Sequence, residues 1–237
     1  MIYYNQNDYG HVPYPAKGYE KATVKSGGCG AVCAAMIVEN LLGEAFPPER
    51  AANFAIVCGA RVPGGTNMRT LSTALCKTFP MKCETTNDID KLVACVKNGG
   101  IAVANVGGER SGYKGVFSNG GHYVVVFDIS GSRLRIADPL LYNGKFDKPH
   151  RNAVTVSGKE AKAAPNVLDK DCDNRNPRYY LYTKEEKPME EEKPSVWAKE
   201  SWEKAVKAKI LDGTKPQEPL TREQLAVVLD RLKMLDK

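Results

Sequence analysis

No charged side chain occurs between Lys25 and Glu39, and Cys29-Gly-Ala-Val-Cys-Ala-Ala-Met-Ile-Val38 fills most of that gap. Ser26-Gly27-Gly28 opens the run, and Gly43 follows Leu42 at its end. That punctuation predicts a helix over about 29–42, with Gly43 as a left-handed cap. A helix that is apolar on every side must be enclosed by other elements. A chain carrying one needs a layered core, and the small residues of the run let its neighbours approach closely. The 237 residues leave room for one well-buried domain and a smaller appendage.

Three further helices are predicted. Pro47-Pro48-Glu49-Arg50 opens one that runs through Ile56; the others cover Asn67–Phe79 and Asp88–Asn98. After Gly99-Gly100 the pattern changes to strands: 101–106, 122–128, 133–137 and 178–182. A three-residue turn, Ser130-Gly131-Ser132, would join the second and third as an antiparallel hairpin. Helices first and strands later define an α+β domain, expected over 1–183.

At Lys184 the composition shifts to alternating charge blocks with two prolines, Lys184-Glu-Glu-Lys-Pro-Met-Glu-Glu-Glu-Lys-Pro194. This stretch cannot bury a core and reads as a linker over 184–194. Residues 195–237 then read as a helical hairpin. Its first helix spans Trp197–Gly213, with Trp202, Ala205, Val206 and Ile210 at helical spacing. Its second spans Pro219–Leu232, with Thr221 and Gln224 in a capping-box pattern. About 40 residues bury little on their own, so the hairpin is expected to dock on the larger domain or on a second copy as a homodimer.

The net charge is +6. Twelve of the 34 basic and 12 of the 28 acidic residues lie from Lys184 onward, so the whole excess belongs to residues 1–183. It reads either as a solvated surface or as attraction to an anionic polymer. No helix or loop carries a dense Lys/Arg stripe interleaved with aromatics, so nucleic acid is not an expected partner. No apolar run approaches the ~20 residues of a membrane span. Met1–Gln6 has neither the basic nor the apolar region of a secretory leader, so the expectation is either synthesis in the cytoplasm with exit by another route, or a leader that the sequence does not include. The seven cysteines form no C-x-x-C pair, and three histidines offer few metal ligands, so neither a disulfide framework nor a metal or other cofactor is expected. Six cysteines read as small buried hydrophobes in a reducing compartment.

Cys29 is the exception. It sits in the first turn of the buried helix, where unpaired N–H groups and the positive end of the helix dipole favour a thiolate. Gly28 and Gly30 would leave space for a substrate backbone and for an amide aimed at an oxyanion. On position alone, Cys29 reads equally as a capping residue with an inert sulfur. His122 opens the hydrophobic strand 122–128 after Ser118-Asn119-Gly120-Gly121. With a three-residue hairpin loop, residue 122 pairs with residue 140, and Asp138 becomes a diagonal neighbour on the same face. A carboxylate there can hold the imidazole in one tautomer and stabilise its cation. A two-residue loop would reverse the parity of Asp138.

Gly28-Cys29-Gly30-Ala31-Val32-Cys33-Ala34-Ala35-Met36, Gly120-Gly121-His122-Tyr123-Val124-Val125-Val126 and Ala137-Asp138-Pro139 together resemble the C39-like branch of the papain-like cysteine peptidases. The opening Tyr3-Tyr4-Asn5-Gln6-Asn7-Asp8-Tyr9 shares the resemblance, which spans about residues 1–183. It implies a Cys29–His122–Asp138 triad, with Gln6 at the place where that family puts an oxyanion-hole amide. The implied chemistry is acyl transfer without a metal. The segment from His11 to Pro15 stands between Gln6 and Cys29 as an insert that would shape the substrate cleft.

Ile210-Leu-Asp-Gly-Thr214 and Leu220-Thr-Arg-Glu223 resemble a single S-layer-homology motif, a kind of module that binds bacterial wall polymers. Similar single tails occur on phage and prophage lysins. The combined resemblance implies an enzyme that cuts an amide in the peptidoglycan stem peptide or cross-bridge after release from the cytoplasm to the cell wall. Two alternatives stand beside it: a processing protease for leader peptides, and an inactive wall-binding or interaction protein.

Overall fold

The computed structural model describes residues 1–185, 194–196, 198–211, 213 and 221–235. It forms two compact units, Met1–Glu185 and Glu186–Lys237. The first unit contains helices α1 (Val24–Gly27), α2 (Cys29–Leu42), α3 (Pro48–Val57), α4 (Met68–Thr78), α5 (Ile89–Lys97) and α6 (Pro165–Cys172). Its strands are β1 (Arg61–Val62), β2 (Gly65–Thr66), β3 (Met81–Thr86), β4 (Ile101–Val106), β5 (His122–Ser130), β6 (Arg133–Ala137), β7 (Thr155–Ser157), β8 (Glu160–Ala163) and β9 (Tyr179–Lys184). Seven strands form one antiparallel sheet in the order β3-β9-β4-β5-β6-β8-β7; β1 and β2 pair separately.

The centre of the sheet is buried on both faces, which is why β4 reads as a continuous apolar run. Ile101 and Val103 join one core with Val125, Tyr180, Tyr182 and the buried residues of α2, α3 and α4. Ala102, Ala104 and Val106 join the other with Val124, Val126, Leu92 of α5 and Leu168 of α6. Helix α2 is fully enclosed from Gly30 to Val38, as its lack of charge requires. It ends at Gly43, whose φ of +74° supplies the left-handed cap. Asn67 and Asp88 accept hydrogen bonds from the first-turn amides of α4 and α5.

The β5–β6 hairpin departs from expectation. Ser130 pairs with Arg133, so the loop has two residues, Gly131 and Ser132, rather than three. Gly131 takes φ +59°, the conformation such tight loops need. By itself this loop would turn Asp138 to the wrong face. A bulge at Phe127 then shifts the register, so that Asp128 faces Arg135 but Val126 faces Ile136. One extra residue on β5 restores the parity that the shorter loop removes.

The second unit contains α7 (Lys199–Lys207) and α8 (Arg222–Arg231). The capping box is present: Thr221 Oγ1 accepts from the Gln224 amide at 3.1 Å, and Gln224 Oε1 accepts from the Thr221 amide at 2.8 Å. Helix α7 is shorter than the 197–213 span expected, because Lys209 turns to φ +58°. Arg231 Nη1 donates to the Ile210 carbonyl at 3.0 Å, tying the end of α8 to that turn. Most of the expected linker (186–193) lies outside the described residues, as do Asp212, Thr214 and Leu220 of the S-layer-homology-like pattern. No helix among the described residues is long and apolar enough to cross a membrane.

Candidate active site

Helix α2 begins at Cys29 with no side-chain cap, so its first-turn amides are left for other acceptors. The thiol is half-buried. Backbone N–H groups of Tyr123 and Gly30 approach the sulfur, and the His122 ring stands beside it. His122 is the first residue of β5 and is only 4% exposed. Its Nε2 donates to Asp138 Oδ1 at 2.8 Å, which leaves Nδ1 as the nitrogen that can serve the thiol.

Asp138, just beyond β6, is completely buried. Its Oδ1 also accepts the Leu140 amide at 2.9 Å, and its Oδ2 accepts from the Lys145 ammonium. Its own carbonyl accepts the Tyr3 hydroxyl at 2.8 Å. Burial alone would raise the Asp138 carboxyl. The charges of Lys145 and His122 outweigh that effect and hold it well below the usual carboxylate range. Burial opposes protonation of His122, yet the carboxylate and the thiol beside it push the imidazole up to about 9. Burial likewise opposes ionisation of Cys29; the imidazole and the two backbone amides outweigh it, so the thiol falls below its ordinary value. The group therefore favours a thiolate–imidazolium pair.

Gln6 lies in a short 3-10 turn, Gln6–Tyr9, and is 5% exposed. Its backbone amide donates to the Pro139 carbonyl at 2.7 Å, and its side-chain Nε2 donates to the Lys25 carbonyl at 2.9 Å. It thus bridges the segment after Asp138 and the turn before Cys29. Its Oε1 is buried without a partner. Turning the amide over would set that oxygen against the Lys25 carbonyl, so the observed orientation is the favourable one. The amide carries a second N–H besides the one given to Lys25.

The glycines flanking Cys29 have a different role from the one expected. A Cβ on Gly28 would stand 2.7 Å from Val24, and one on Gly30 would stand 2.6 Å from Thr66. They let the protein's own elements close on the start of α2, rather than making room for a substrate. The insert before Cys29 is likewise structural at Tyr14. That ring is fully buried, with its hydroxyl 2.7 Å from Thr66 Oγ1 and the Arg61 guanidinium 4.5 Å from its centre. Gly30→Ala is expected to destabilise the protein despite alanine's higher helix propensity. The propensity gain is about 1 kcal/mol, whereas forcing a methyl against Thr66 costs ~1–3 kcal/mol. A urea midpoint at or above wild type would refute that account.

Three groups in the site's surroundings went unread in the sequence. Lys145 approaches Asp138 from a loop whose only local signal is the Asn143-Gly144 turn. Asp171, fully buried, accepts the Val116 and Phe117 amides at 2.9 Å each. Arg151 donates to the Gly115 carbonyl at 3.2 Å and to Asn119 Oδ1. The last two hold the loop that delivers His122. Of the other cysteines, Cys33 and Cys172 are buried, but Cys58, Cys76, Cys83 and Cys95 are only half-buried. These four pack against the edges of the two cores. His11 is exposed, 3.9 Å from Glu49, and His150 belongs to a short 3-10 turn. Among the described residues, no group of three or more His, Cys, Asp or Glu side chains is arranged to hold a metal. Two cavities, of about 710 and 1150 Å³, lie away from Cys29 and His122. Chemistry rather than concavity singles out the site.

No family model and no curated protein matches this chain. Among solved structures it is similar to one named as a C39-like peptidase from Bacillus anthracis, at 16% identity and a TM-score of 0.47, covering 68% of this chain and 90% of that one. It is also similar to a double glycine motif protease from an AMS/PCAT transporter in complex with the leader peptide, at 16% identity and a TM-score of 0.36, covering 65% and 81%. Likenesses at this level do not speak to chemistry, and the reading of the site rests on its own geometry.

Proposed function

We propose that the chain is a cysteine peptidase in which Cys29 is the nucleophile, His122 the general base and acid, and Asp138 the group that orients and stabilises the imidazolium. One observation carries this reading: the partly buried Cys29, at a helix start with no side-chain cap, stands beside an imidazole whose Nε2 lies 2.8 Å from a fully buried carboxylate. The thiolate adds to the carbonyl carbon of an amide. First-turn amides of α2 and the second N–H of Gln6 stabilise the oxyanion. The imidazolium gives its proton to the departing amine, leaving a thioester. Water, deprotonated by His122, then cleaves the thioester and restores the thiol.

The substrate in this proposal is an amide in the stem peptide or cross-bridge of bacterial peptidoglycan. Two features support it: the excess positive charge of residues 1–183, suited to an anionic wall, and a second helical unit whose sequence resembles a wall-polymer module. Purified Gram-positive walls treated with the protein should release new amino groups, and mass spectrometry of the muropeptides should locate the cut. Cleavage of leader-type peptides with no release from walls would move the substrate to the leader class. A Cys29 inert to iodoacetamide at neutral pH would indicate an inactive binding protein.

A further inference from the structure

We infer that Lys145 is a positioning residue of this site, fixing the Asp138 carboxylate and, through it, setting how tightly His122 holds its proton. The inference rests on the peptidase reading and extends it from three charged groups to four. Lys145 is 3% exposed, and an ammonium is rarely buried to that extent unless paired. Its Nζ donates to Asp138 Oδ2 and, at 3.1 Å, to the Leu140 carbonyl, while its head lies 5.6 Å from the centre of the Phe146 ring. Asp138 Oδ1 meanwhile serves His122 and the Leu140 amide. With both oxygens engaged, the carboxylate cannot rotate without breaking a charge-assisted bond.

In the ion-paired state, Cys29, His122, Asp138 and Lys145 alternate in sign and sum to zero. Without Lys145 the buried row would carry a net negative charge. Once His122 has given up its proton, Asp138 would also stand without a counter-ion. A cation on the far side of Asp138 disfavours excess proton binding at His122 and favours the thiolate at Cys29.

The other groups facing this row do not supply that charge. Tyr3 from the N-terminal segment, Cys33 from α2 and Tyr123 from β5 are all raised by burial and stay neutral across the working range. Tyr14, near Cys29, is pushed up to about 12, also by burial. Of the nearby guanidiniums, Arg61 lies against the Tyr14 ring and Arg175 donates to the Gly107 carbonyl at 3.4 Å; neither bonds Asp138.

The test uses the full chain and follows the rate of Cys29 carbamidomethylation against pH, resolved from other cysteines by peptide mapping. Wild type should show two steps, one as the thiol ionises beside the imidazolium and one as the imidazolium is lost. His122→Ala should remove the first step; if it does not, the peptidase reading itself fails. Lys145→Met should move both steps upward by about one pH unit, the scale of losing one nearby cation. Lys145→Arg, which keeps the charge, should leave them near wild type. A Lys145→Met protein that melts earlier but keeps both steps in place has lost only packing, and the inference is overturned. Should that variant not fold, the wild type decides: the ¹⁵N resonance of the Lys145 ammonium should move through the His122 titration. A resonance that stays fixed overturns the inference equally.

Discussion

Cys29→Ala is expected to lower hydrolysis by about 10⁴-fold or more, the scale seen when a covalent nucleophile is removed, while leaving the fold intact. Cys29 is only partly buried and belongs to neither core cluster. Alanine is also a good helix former at the first position of α2. The melting temperature should therefore stay near wild type or rise slightly, since a site built to hold a thiolate and an imidazolium is not optimised for stability. In the wild type, the pH dependence should be a bell. Its rising side should lie below the ordinary thiol range because Cys29 is lowered. Its falling side should come near pH 9, as His122 loses the proton it must give to the leaving amine. Turnover by Cys29→Ala within tenfold of wild type would remove Cys29 from the reaction.

The second large effect concerns stability. Asp138→Asn keeps the side-chain shape but leaves the Lys145 ammonium buried without an anion. Breaking a buried pair in this way costs ~3–5 kcal/mol. For a domain of this size that is a fall of roughly 10 °C or more in melting temperature. Removing both charges in Asp138→Asn/Lys145→Met should recover much of the loss, because the two positions are coupled. Activity should stay low in both variants, since His122 has lost its partner. The sign of the pH effect follows from the depressed carboxyl. Its contribution is complete above the ordinary carboxylate range and is lost as pH falls below it. Wild type should thus lose stability in acid more steeply than the double variant. An Asp138→Asn melting curve superimposed on wild type would show that the pair holds nothing together.

Much of the first unit could be read because its signals are local. The uncharged run from Cys29 marks α2, and Gly43, Asn67 and Asp88 mark helix ends by backbone chemistry that needs no tertiary context. The strands at 101–106 and 133–137 emerge with the bounds expected, the first as an apolar run between Gly100 and Gly107 and the second as an alternating run after Ser132. Those expected at 122–128 and 178–182 extend to Ser130 and shift to Tyr179–Lys184. What escaped was set by distant partners. Strand β3, Met-Lys-Cys-Glu-Thr-Thr, is mostly solvent-facing at the sheet edge and is defined by pairing with β9 about a hundred residues later. Strands β7 and β8 are short and carry little apolar signal; β8 is defined by pairing with β6, and β7 by pairing with β8 as the edge beyond it. Lys145 belongs to no periodic element, so only the folded loop shows its approach to Asp138. Cys29, His122 and Asp138 were legible as residue types at informative positions, but their alignment depended on a hairpin whose loop was read one residue too long.

That hairpin makes the length of one loop a functional variable. Its two-residue connection and the bulge at Phe127 offset each other, and Asp138 reaches the imidazole only because both are present. Insertions or deletions between Val126 and Ala137 should thus survive only in compensating combinations that leave the odd–even count unchanged. A single-codon gain or loss in this surface turn, remote from the thiol, would silence the chemistry by rotating the acid away from its base.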